Sequence, residues 1–260
     1  MAIAPPMPFT RRRRAARTEA MSLGDHLAEL RRRVLLSGVA LAVASTVAFL
    51  LYGHVLDFLL RPYCTSVGHH GPCVLYVTGP LDGLAIRVKV AAYGGLLLAS
   101  PVLLWQFWRF IAPGLHAGER RYAASFVAAS VTLFAGGAVV AYAIFPHTLA
   151  FLDAVGGPNL RQLYSPSSYL GLLILMMAAF GATFELPVLL VALQLAGLVT
   201  PRQLASWRRW SIVGLVTFAA VITPSSDPFS MLALAVPLIV LYELAILAGR
   251  LLLRARRTSA

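Results

Sequence analysis

Runs of apolar residues long enough to cross a bilayer recur along this 260-residue chain and constrain its fold more than any other feature. In windows of about 19 residues they fall at 34–52, 90–112, 123–145, 169–196, 210–222 and 228–248. With 59% of positions apolar and 12% charged, a water-soluble core is excluded, and the chain reads as an all-α integral membrane protein. The fifth run is the weak one. Its 13 residues rise only about 20 Å against about 30 Å of hydrocarbon, so it thins the bilayer, borrows flanking residues or re-enters. The expected architecture is six transmembrane helices with short fifth and sixth spans; four spans plus a re-entrant hairpin is the alternative.

Charge supplies the orientation. Of 22 basic residues, 21 are arginine and Lys89 is the one lysine, a bias that points to GC-rich, prokaryotic coding. With the N-terminus inside, only Arg61, Arg87, Lys89 and Arg161 fall outside, so 18 basic residues face the cytoplasm against four. That bias makes both termini cytoplasmic and the number of spans even. No inverted repeat of the kind many secondary transporters carry is visible. Residues 1–20, MAIAPPMPFTRRRRAARTEA, place an arginine cluster before polar residues rather than before an apolar stretch, so they read as a disordered basic tail and not as a cleaved signal peptide. Such a tail touches anionic lipid at about 1 kcal/mol per basic residue, or is simply solvated. The membrane domain is expected over 21–250, with a second basic tail over 251–260.

Both cysteines, Cys64 and Cys73, lie in the first outer loop, CTSVGHHGPC. In an oxidising compartment the pair reads as a small disulfide-closed loop. His69 and His70 between them raise a metal site, although the spacing matches no common zinc pattern; two free thiols is the plain third reading.

No nucleophile elbow, phosphate loop, HExxH or glycine-rich dinucleotide turn occurs, so an enzyme is not expected. The ionisable residues gather in three places instead. DHLAELRRRV, residues 25–34, alternates polar and apolar positions at helical spacing and reads as an amphipathic helix running into the membrane. Glu29 within it pairs, on the plainest reading, with Arg32 or Arg33 one turn on, worth a few tenths of a kcal/mol. Residues 96–122, LLLASPVLLWQFWRFIAPGLHAGERRY, carry a proline inside the span, then a belt of Trp105, Phe107, Trp108 and Phe110. Glu119 follows, an acid amid cytoplasmic basic charge. The third place is FGATFELPVLL, residues 180–190, where Glu185 stands alone in an apolar run. A carboxylate at that depth costs a few kcal/mol or more, so it persists with a partner, a water-filled cavity or a function. Ala178, Gly181 and Ala182 line its helical face, letting another backbone approach or leaving room for water, and Pro187 tends to kink the helix around it. A hydrogen bond to a neighbouring helix is the plainer account of this acid.

HLAELRRRV before the first span, SPVLLWQFWRFIAPGLHAGERR across the second, FPHTLAF after the third, FGATFELPV in the fourth and TPSSDPFS before the sixth resemble the TatC family. The likeness runs in order from about Asp25 to Arg250. It implies the largest membrane subunit of a twin-arginine protein translocase, in the cytoplasmic membrane of a prokaryote. Such a subunit binds twin-arginine signal peptides of folded cargo and works with two small single-span subunits, A and B, in a self-associating hetero-oligomer driven by the protonmotive force. No cofactor, metal or nucleic acid is implied. The resemblance carries signal-peptide binding onto Glu29 and Glu119, the intramembrane partner site onto Glu185, and an outer functional position onto Asp227. Two departures stand out. Met231 takes a place where many members have glutamine, and TPSSDPFS is one residue longer than the usual run, so polar partner contacts there are not carried over. The competing function is a proton- or cation-coupled small-solute transporter using Glu185, with Gln106, Gln194 and Glu243 as its nearest further polar candidates.

Overall fold

The computed structural model describes residues 23–67, 75–77, 79–111, 123–157, 164–225 and 227–258. The expected basic tail over 1–20, and Cys73, His69, His70 and Glu119, lie outside them. Among the described residues there are nine helices and no strand: α1 (Leu23–Leu50), α2 (Tyr52–Val67), α3 (Asp82–Ile111), α4 (Ala123–Gly156), α5 (Pro166–Thr183), α6 (Leu186–Leu195), α7 (Pro201–Ser206), α8 (Arg208–Ile222) and α9 (Pro228–Thr258).

Five segments are long and apolar enough to cross a membrane: Leu27–Leu50, Asp82–Phe110, Ala124–Gly156, Pro166–Leu195 and Pro228–Arg254. The fifth expected span is α8. Its 15 residues reach about 22 Å, short of a hydrocarbon core of about 30 Å. The sixth is not short: α9 has 31 residues, because its periodic apolar face continues past residue 248 into a basic last stretch. Two further differences concern the stretch read as the first outer loop. It contains the helix α2, and α3 begins at Asp82, well before residue 90. Asp82 opens α3 by accepting from the Gly79 amide at 2.7 Å.

The helices pack in pairs. α1 lies along α3, α4 along α5, and α9 closes the bundle against α4, α6, α7 and α8. α1 leaves most of its length uncovered, with Val34, Leu35, Val39 and Val43 all exposed, as suits a helix facing lipid. At the centre, Phe145 from α4, Leu170, Leu173, Ile174 and Phe180 from α5 and Leu234 and Leu238 from α9 form the main apolar core. Close approach of α4 and α5 depends on glycine: a Cβ on Gly137 would stand 2.6 Å from the Phe180 carbonyl oxygen. Small residues at a crossing are how membrane helices gain contact where the hydrophobic effect supplies none.

Proline placement explains how α2 is fastened. Pro62 inside α2 has no N–H, so the Phe58 carbonyl loses its helical donor. Tyr142 of α4 donates to that carbonyl at 2.7 Å and stacks on the Phe58 ring; Tyr169 of α5 donates to Leu59 at 2.8 Å. In α3 the carbonyl of Leu97, freed by Pro101, accepts from Ser100 at 2.7 Å. Near the same end of the bundle as α2, Tyr164 donates to Asp153 at 2.7 Å, and burial, then that bond, pushes its phenol above the ordinary value.

Gly137→Ala should force α4 from α5 and destabilise the fold by about 1–3 kcal/mol, as overpacking does elsewhere. Thermal unfolding of the detergent-solubilised protein checks it, with Gly136→Ala, whose Cβ meets nothing within 4 Å, as the control.

Candidate functional site

Glu29 sits on α1 at the arginine-rich end of the bundle. The pairing expected one turn on is present, with Arg33: the guanidinium Nε donates to Glu29 Oε1 at 3.2 Å and Nη2 contacts the same oxygen. Glu29, Arg32, Arg33 and Leu36 from α1, with Gln106 and Arg109 from α3, line a cavity of about 200 Å³. An i,i+4 pair that water reaches stabilises by only about 0.3–0.5 kcal/mol. Arg33 is therefore a partner that an arriving guanidinium can displace at small cost. Three guanidinium groups surround this one carboxylate, so a cationic ligand is attracted only if further negative charge joins it. Glu119 lies outside the described residues; the segment that carries it leaves α3 at Ile111, two residues beyond Arg109.

Glu185 stands where the fourth span breaks. α5 ends at Thr183, Phe184 and Glu185 form a turn, and α6 restarts with Pro187 in its first turn, so the expected kink is a tight step between two helices. The Glu185 amide bonds back only three residues, to Ala182 at 3.2 Å, while its own φ of −73° and ψ of −20° stay helical. The residue is 8% exposed, and neither carboxylate oxygen has a hydrogen-bond partner. Of the expected small-residue face, Gly181 packs flat against the Phe134 ring of α4, so close approach is what that position serves.

Sequence reasoning missed Ser130 and misassigned Trp108. Trp105 and Phe107 are exposed, as an interfacial belt requires, but Trp108 is 3% exposed, turns into the bundle, stacks on Phe126 at 5.3 Å and donates from Nε1 to Ser130 at 2.5 Å. A buried indole N–H needs an acceptor, which is a signal in the sequence, but the acceptor's identity is not. Beside this group an apolar groove of about 550 Å³ runs between α4, α6 and α9, bordered by Ala129, Leu133, Pro187 and Val188.

Asp227 is fully buried at the N-terminus of α9. Its Oδ1 accepts from the Ser230 amide at 2.7 Å and its Oδ2 from the Ser225 hydroxyl, while Ser230 Oγ meets Thr148 of α4 at 2.7 Å. The carboxylate thus caps α9 and joins a polar cluster tying it to α4. Met231, next along, packs against the apolar core. Cys64 is disulfide-bonded. Of the other polar candidates, Glu243 and the Gln194 amide nitrogen have partners, while Gln194 Oε1 is buried with none. Arg208 grips Glu243 as a fork at 2.6 and 2.7 Å, and the buried Gln194 amide donates to Leu190 and Ala245 carbonyls at 3.2 and 3.1 Å.

Residues 25–237 match the family model for the Sec-independent protein translocase protein TatC. The chain belongs to the TatC family. A TatC of Frankia casuarinae is 41% identical over 248 residues, covering 92% of this chain and 68% of that one. The TatC of Aquifex aeolicus is 37% identical over 240 residues, with 91% and 98% covered. Two crystal structures of a twin-arginine translocase receptor, TatC, superpose with TM-scores of 0.71 and 0.69 at 36% and 37% identity, covering 86% and 87% of this chain. Membership makes this a multi-pass prokaryotic membrane protein of a translocase family, and sets it apart from enzymes.

Asp227→Ala should cost about 1–2 kcal/mol through loss of the α9 cap. Asp227→Asn, which keeps an acceptor for the Ser230 amide, should cost less. Thermal unfolding of both variants in detergent gives the comparison.

Proposed function

We propose that this chain is the receptor subunit of a twin-arginine translocase, binding the signal peptides of folded cargo at the Glu29 cavity together with Glu119. The observation that carries the reading is the displaceable Glu29–Arg33 pair in a small polar cavity at the arginine-rich end, within the stretch that matches the TatC model. A guanidinium offers a planar fork of donors that a carboxylate takes bidentately, and two carboxylates are the fewest that read two adjacent arginines. Lysine, a point charge without the fork, fits less well. Arg32, Arg33 and Arg109 around the acid repel cations that lack this match, so they add discrimination.

The cavity faces the cytoplasm, with six spans and both termini inside, as the distribution of basic residues supports. α8 completes the crossing with flanking residues, Trp207 and Trp210 serving as interfacial anchors. Glu185 acts after recognition. A buried carboxylate with two unfilled oxygens accepts a polar group on a single-span partner subunit, A or B, as the complex self-associates and the protonmotive force drives assembly. Asp227 serves the outer end, where it sets the start of α9. Small-solute transport through Glu185 draws no support from Gln106, Gln194 or Glu243, whose places lie in the arginine-rich cavity, in backbone bonds and in an ion pair.

Site-specific crosslinking of a twin-arginine signal peptide to the protein in membranes tests the receptor reading. Wild type should crosslink at the inner face, and Glu29→Ala, Glu119→Ala and a Lys-Lys peptide should each lose about tenfold or more, the scale of a charge-assisted bond worth 1.5–3 kcal/mol. Equal crosslinking by all of them, or none by wild type, would overturn it.

A further inference from the structure

Arg31, Arg32 and Arg33 are consecutive on α1, so their side chains fan out about 100° apart. Arg33 turns to Glu29, whereas Arg31 and Arg32 are exposed and form no ion pair among the described residues. Both line a second cavity, a groove of about 440 Å³ that reaches back to Ala28 and onward through Leu35, Leu36 and Val39. Those positions recur every three or four residues and form one stripe along the helix, charged at one end and apolar beyond it. No described residue covers the apolar part: Leu35 is 60% exposed, Val39 62%, and Val43, one turn further, 59%. From Arg31 to Val43 the helix rises about 18 Å, close to the roughly 15 Å of hydrocarbon in one leaflet. The occupant that fits is anionic at its head and apolar over that depth. A peptide with paired arginines does not qualify, because Arg31 and Arg32 repel it.

We propose that this groove binds an anionic glycerophospholipid of the inner leaflet, its phosphate held by Arg31 and Arg32 and an acyl chain laid along Leu35, Leu36 and Val39, and that the bound lipid tunes the Glu29 cavity beside it. A guanidinium fork matches phosphate oxygens in geometry as well as charge, and the two adjacent arginines supply two forks. Arg32 and Leu36 line both the groove and the Glu29 cavity, so one guanidinium stands in the wall between them. A phosphate on the groove side holds Arg32 and offsets its charge. Arg33 and Arg109 are then the cations in the cavity lining that an arriving guanidinium still opposes, and the peptide binds more tightly. The lipid site does not depend on the receptor reading; its effect on peptide affinity does.

The test places the full chain in vesicles of equal parts phosphatidylcholine and phosphatidylglycerol, with a photoreactive side chain at position 43, and identifies the captured lipid by mass spectrometry. Phosphatidylglycerol should be captured over phosphatidylcholine by about fivefold or more, the scale of one basic residue at an anionic surface. The same group at position 139, on the exposed face of α4, reads the bulk lipid and should show no such preference. Arg31→Gln combined with Arg32→Gln should abolish the preference at position 43, and Arg250→Gln, at an exposed arginine of α9 outside the groove, should keep it. Equal capture of the two lipids by wild type, or an unchanged preference in the double variant, overturns the site. Twin-arginine peptide affinity is then compared between these vesicles and pure phosphatidylcholine. The general attraction of a cationic peptide to an anionic surface is common to all variants, so the wild-type gain should exceed that of Arg32→Gln by about fivefold. Equal gains overturn the coupling. Should no peptide bind in either vesicle while the lipid preference holds, the receptor reading falls and the lipid site stands.

Discussion

A backbone carbonyl in hydrocarbon has no water to turn to, and each one left without a donor costs several kcal/mol. Proline makes such carbonyls, and this chain places Pro62, Pro101, Pro146 and Pro237 inside helices. At Pro62 the freed Phe58 carbonyl is met from another helix by Tyr142, so the defect in α2 becomes the tie that holds α2 to α4. Pro101 is handled locally, by the serine beside it. At Pro62 and Pro101 a tyrosine and a serine stand where the ladder has been opened, and apolar residues fill the core around them.

Glu185 is read in the same terms. Pro187 opens the ladder once more, at the Thr183 carbonyl, and the helix steps there. Asp227, buried still more completely, has both oxygens engaged and serves the fold. Glu185 has neither engaged by a hydrogen bond. Burial with unequal satisfaction is what sets these two acids apart.

Much of this was legible in the sequence, and the rest failed for physical reasons. Apolar run length set the all-helical class, and Pro187 forecast the break beside Glu185. Span ends were less legible, because a helix continues past the hydrocarbon wherever its polar residues still accept helical geometry. α3 thus starts at Asp82 and α9 runs to Thr258. The helix α2 escaped notice since hydropathy registers spans, whereas α2 is held by contacts from α4 and α5 that are distant in sequence. Trp108 was read as belt because its neighbours Trp105 and Phe107 are; helical phase turns it inward by one step, and Ser130, 22 residues on, shows as its acceptor only in three dimensions.

Glu29 and Glu185 are the same residue type in different dielectrics, and in the proposed function that difference would order their work. Around Glu29, water and the nearby arginines screen the carboxylate within a Debye length of about 8 Å at physiological ionic strength. Pairing there is weak, reversible and exchangeable, which suits a site that must sample many peptides and release most. At Glu185 screening is nearly absent, so one hydrogen bond made or missing weighs far more. Such a site suits a step taken only after recognition, when a partner span brings a polar group whose own burial would otherwise be unfavourable. In the proposed function the two unmet needs cancel on contact, so the buried acid would favour assembly while the half-buried Glu29 would select what enters.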